Sequence, residues 1–192
     1  MKNIQIALTA VSMLWLVYVL NLVLVIDLRL YGIHPRRMYG LWGIIFSPFL
    51  HNDLRHLTSN TGAFFVLLIL SLSFSKKLTI IAYVIISLLS GGLVWIFGRS
   101  DTVHIGASGI IFGLMGFLML SGIFRRELKT LFLALVVFLI YGGALYALVV
   151  YEPGISWTGH FYGFLAGTLA AWWTKTELKY QRKKRPYAST TK

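Results

Sequence analysis

Ser108 stands in the run Gly106-Ala107-Ser108-Gly109, a hydroxyl with only small neighbours, where an apolar stretch begins. A serine becomes a nucleophile when it has a base to take its proton, open access, and donors where the oxyanion develops. His160 is the candidate base. His56 and Asn60, spaced i, i+4 and so sharing one helical face, are candidate side-chain donors. Gly106 and Gly109 remove side chains that would block a second backbone from approaching Ser108. No acid lies inside any apolar stretch, and Asp53, Asp101 and Glu152 are loop residues without a signal tying them to His160. The chemistry that this set supports is acyl transfer by a Ser–His dyad.

Such a dyad needs elements to position it, and composition says what kind. The 192 residues are 57% hydrophobic and 12% charged, with a mean hydropathy of +0.75, which excludes a soluble globular class. Apolar runs of about 17–22 residues recur, each long enough for a hydrocarbon core. Turn and charge breaks place helices at 5–26, 56–75, 78–97, 108–124, 130–150 and 159–175. The expected fold is an all-α, polytopic bundle of six membrane helices in one domain over 1–175, followed by a basic tail over 176–192. The first run is longer than a signal-peptide core and has no small-residue cleavage site after it, so it reads as a retained helix. In the first connection, "GLWGIIFSPFLH" suits an element lying in the membrane interface. With no cysteine there is no disulfide or thiolate metal site, and neither metal nor cofactor is called for.

The net charge of +12 marks topology rather than nucleic-acid binding. With the N-terminus inside, 13 lysines and arginines fall on the cytoplasmic side against 5 outside, so both ends are cytoplasmic. The tail is an anchor of that topology and has the charge to touch anionic lipid. Helices two, four and six then all begin at the outer face, which brings His56, Asn60, Ser108 and His160 to similar depth. Polar side chains in a membrane face the bundle interior or a wet cavity, so the four are expected to converge. The fourth span of about 17 residues measures roughly 25 Å, short of a core of about 30 Å. The segment before it must dip below the surface, leaving Ser108 at a submerged helix N-terminus with free amides.

At these residues the sequence resembles the rhomboid family of intramembrane serine proteases. Gly106-Ala107-Ser108-Gly109 opens the fourth helix, His160 opens the sixth with Gly163 and Gly167 behind it, and "HLTSN" (His56 to Asn60) lies on the second, with His51 upstream. The resemblance covers roughly residues 5–175. It implies Ser108 as nucleophile, His160 as general base and then acid, and an oxyanion held by the Ser108 amide with Asn60 and His56. Gly163 and Gly167 would let the sixth helix pack closely on the fourth. Two positions depart from the pattern: Phe112 replaces a tyrosine one turn after the serine, and Trp42 is followed by Gly43 rather than arginine.

The implied substrate is the membrane helix of another protein, cut near its outer end after local unwinding. Entry past the second and fifth helices would use the Gly142-Gly143 pair as a bend. A compact six-helix chain without added domains is expected in a bacterial inner membrane. One competing reading is a catalytically silent rhomboid-like protein that binds membrane helices. A small transporter is the other; it lacks support, since no internal repeat and no intramembrane carboxylate is present.

Overall fold

The computed structural model describes residues 2–150 and 156–184. The long helices are α1 (Asn3–Val23), α3 (Leu54–Phe74), α4 (Lys76–Phe97), α5 (Ser108–Arg125), α6 (Leu128–Tyr141) and α7 (Trp157–Lys184). A single-turn helix, α2 (Gly43–Phe46), sits between 3-10 turns in the first connection. α1, α3, α4, α5 and the segment Leu128–Leu148 are each long and apolar enough to cross a membrane. α7 packs on α5 and α4 and completes the bundle. The fold is all-α, as expected, and the chain is a multi-pass membrane protein.

Two boundaries differ from the hydropathy reading by more than three residues. α6 ends as an α-helix at Tyr141, and its last stretch, Gly142–Leu148, winds as a 3-10 helix. A glycine pair gives the backbone the freedom for that change. α7 does not stop at residue 175 but runs to Lys184, because the residues beyond Trp173 are good helix formers once outside an apolar environment. Glu152 and the tail after Lys184 lie outside the described residues.

Most polar residues within the spans are absorbed by structure. Thr58 and Thr61 return their hydroxyls to carbonyls four residues back, at 2.9 and 2.8 Å. The Trp15 indole donates to Thr61 at 3.0 Å and ties α1 to α3. Ser71 and Thr79 bond at 2.8 Å where α3 turns into α4. In lipid such bonds act as glue because an unpaired polar group has no water to turn to.

α5 is the central helix. Every residue from Ile110 to Leu118 is buried, whereas α1 buries only Ala7 and Leu14, and α6 only Thr130 and Val137. Leu16, Phe132 and Leu139 point outward, which is stable only against lipid. Lipid tails are as apolar as leucine, so the helices associate through close packing of small residues. The closest approach is between α5 and α7. A Cβ on Gly163 would strike the Gly109 carbonyl, and one on Gly167 the Gly113 carbonyl; in return, one on Gly116 would strike the Phe164 carbonyl.

Candidate active site

Ser108 is the first residue of α5. The residue before it, Ala107, has no side chain to cap the helix, and no cap hydrogen bond is made. The first-turn amides therefore stay available, with the positive end of the helix dipole behind them. Gly106 reaches this point with φ +110°, a region glycine alone enters cheaply. Its amide donates to the Ser47 carbonyl at 2.8 Å. A Cβ on Gly106 would lie 2.6 Å from the His56 ring and 3.5 Å from Asn60 Nδ2. The sequence reading took Gly106 as clearance for an incoming peptide; in the structure the imidazole of His56 fills that space. Gly109 likewise faces Ser90 and the Gly159 carbonyl.

The glycine contacts bring the start of α7 against the start of α5, with Gly163 on Gly109 and the Gly159 carbonyl 3.5 Å from a Cβ placed on Gly109. Phe112, one turn after Ser108 on the same face, stacks on His160 with ring centres 4.2 Å apart and planes 17° apart. The imidazole is thus braced by the Phe112 ring. His160 is 8% exposed, and its Nδ1 is buried without a hydrogen bond among the described residues. Ser108 opens α5 and His160 lies in the first turn of α7, with no hydrogen bond between them among the described residues. Two of the candidate acids are engaged elsewhere. Asp53 caps α3 by accepting the His56 amide at 2.8 Å, and Asp101 pairs with Arg99 at the surface.

Asn60 is buried and donates through Nδ2 to His51 Nε2 at 3.0 Å. His51 Nδ1 donates in turn to the Phe49 carbonyl at 3.3 Å, so its neutral form has Nε2 free to accept. Burial, and then the neighbouring His56, push the His51 imidazole down to about 4. A histidine depressed below its unfolded value near 6.5 supports folding above that value and loses its contribution as pH falls toward 4. Thermal unfolding in detergent is therefore expected to drop across pH 6.5–4. His51→Asn, which keeps an amide partner for Asn60 and does not titrate, should flatten that slope. An equally steep slope in the variant would contradict the assignment.

Without a Trp-Arg pair, the first connection is held to α4 and to the loop before α5 by other bonds. Arg36, with φ 59°, sends Nη1 to the Ile96 and Gly98 carbonyls, both at 2.8 Å. Trp95 Nε1 donates to the Arg37 carbonyl at 2.9 Å. Ile33 and His104 exchange both main-chain bonds at 3.0 Å. Trp42 itself is exposed. Ser108 borders a mainly apolar cavity whose lining also includes Ser47, Ser87, Ser90, His104 and Ser156. His104 and Ser156 were not singled out by sequence reasoning. Their only signal is spacing, four residues before Ser108 and His160 respectively.

Residues 39–176 match the family model of the Rhomboid domain. The chain belongs to the rhomboid family. It is also 39% identical over 173 residues to uncharacterized proteins of Mycobacterium bovis and Mycobacterium tuberculosis, covering 86% of this chain and 72% of each relative. An uncharacterized protein of Mycobacterium leprae is 34% identical over 175 residues, covering 86% of this chain and 68% of the relative. As a rhomboid, the chain keeps both the serine and the histidine of the motif, and its Phe112 serves as the histidine's stacking partner without the hydroxyl.

Proposed function

We propose that this rhomboid is an intramembrane serine endopeptidase that cuts the membrane helices of other proteins near their outer ends. The observation that carries the reading is the Phe112–His160 stack, which sets the imidazole beside an uncapped helix start whose first residue is Ser108. In the proposed cycle Ser108 Oγ attacks the scissile carbonyl while His160 takes its proton. The oxyanion forms against the Ser108 amide, with Asn60 and His56 supplying side-chain donors. Collapse breaks the C–N bond, and His160 returns the proton to the leaving amine. Water then repeats the sequence on the acyl-enzyme. No metal or cofactor takes part.

A peptide bond must be extended to enter, so the substrate helix has to unwind locally, and small or helix-breaking residues lower that cost. The 3-10 segment Gly142–Leu148 is a natural give point for lateral entry beside α6. The charge distribution supports cytoplasmic termini in a bacterial inner membrane, with the basic tail near anionic lipid. A silent member of the family that only binds membrane helices is the second reading, favoured by the absence of a Ser108–His160 hydrogen bond. One experiment separates them. The purified protein should take up a fluorophosphonate probe, and mass spectrometry should find the adduct on Ser108. No adduct, or an adduct on another serine, would sink the protease reading.

A further inference from the structure

His104 Nδ1 lies 2.7 Å from Ser156 Oγ, although the two are 52 positions apart. Thr102 makes its shorter bond to the Arg99 carbonyl, at 2.8 Å; with its proton there, it accepts from His104 Nε2 at 3.0 Å. His104 therefore carries its proton on Nε2 and presents a bare Nδ1 to Ser156. Ser156 Oγ accepts the Gly159 amide at 3.2 Å and has its own proton left to donate to Nδ1. The Ser156 carbonyl also accepts the His160 amide at 3.1 Å. Burial holds the His104 imidazole below the usual histidine range, in keeping with the neutral form.

The position of this chain of bonds is its significance. His104 is four residues before Ser108, and its backbone is clamped to Ile33 on both sides. Ser156 is four residues before His160 and caps the helix that carries it. The glycine contacts set how close α5 and α7 lie, but smooth glycine faces resist sliding poorly. A directional bond between the two helix starts supplies what they lack. The geometry points to His104 and Ser156 as positioning residues that lock the axial register of α5 against α7 and so align Ser108 with His160. This rests on the proposed dyad.

The test is the time course of fluorophosphonate labelling in detergent, which separates the rate constant from the fraction of competent protein. Ser156→Ala and His104→Phe are expected to slow the rate constant about 10- to 100-fold, the scale for a misplaced reacting group, with the endpoint retained. Ser156→Thr keeps the hydroxyl and should label close to the wild-type rate. The His104→Phe/Ser156→Ala double variant should be no slower than the slower single one. Should His104→Phe fail to fold, His104→Asn, whose Oδ1 replaces the Nδ1 acceptor, takes its place and should retain most of the rate. Unchanged rate constants, or a loss confined to the endpoint, would overturn the proposal. A wild-type protein that never labels would overturn the dyad reading instead. The link is then judged by histidine 15N spectra: the Nε2–H tautomer of His104, perturbed by Ser156→Ala, upholds it, and an Nδ1–H tautomer removes it.

Discussion

Ser108→Ala is expected to lower cleavage of a single-span reporter in liposomes by about 10^4-fold or more, the scale for removing a nucleophile from a serine hydrolase. His160→Ala should do the same, and the double variant should be no worse than either alone, because the two groups act as one unit. The expectation follows from the site's economy. Asp53 and Asp101 are engaged away from His160, and no hydrogen bond among the described residues orients its Nδ1. Orientation comes from the Phe112 ring instead, with the Ala147 backbone also close to the imidazole. Neither can stand in for a missing hydroxyl or imidazole. Residual cleavage above background in Ser108→Ala, with the same product, would assign the chemistry elsewhere.

Gly167→Ala should be among the most damaging single-methyl changes in the molecule. The new Cβ would be driven into the Gly113 carbonyl, which is backbone and cannot rotate away. Nor has α5 room to retreat, since not even a Cβ on Gly113 would fit against the Ile86 side chain of α4. The helix is caught between two partners, so α7 must move off, taking His160 with it. Overpacking of this kind costs about 1–3 kcal/mol where side chains can adjust, and a backbone obstacle belongs at the upper end or beyond. Thermal unfolding in detergent should show a clear loss of stability, and labelling of Ser108 should slow as well. Gly62→Ala is the control: it lies in α3 with nothing within 4 Å of the added methyl. Helix propensity makes it neutral to stabilising, by up to about 1 kcal/mol. If Gly167→Ala behaves like Gly62→Ala, the close α5–α7 contact is not what holds the bundle.

These variants also show which positions a sequence can reveal. Composition alone gives Gly62, Gly163 and Gly167 the same look, each a small residue in an apolar run. The family resemblance pointed to Gly163 and Gly167, and the carbonyls they meet across the interface give the reason. Gly106 is similar: its small size was legible, but the occupant of the space, His56, was not.

What the sequence determined by itself was the set of spans, their hydrophobic character and the motif residues that define the family. The physical reason is that bilayer thickness and backbone hydrogen bonding dictate helix length and polarity locally, residue by residue. The convergence of His56 and Asn60 on the turn before Ser108, and of His160 beside it, was also foreshadowed by polar residues recurring at one depth. The tertiary structure alone decided the stacking of Phe112 on His160, the tautomer of His51 set between Phe49 and Asn60, and the bond from His104 to Ser156. Those are distances and directions between side chains far apart in the chain, and hydropathy carries no record of either.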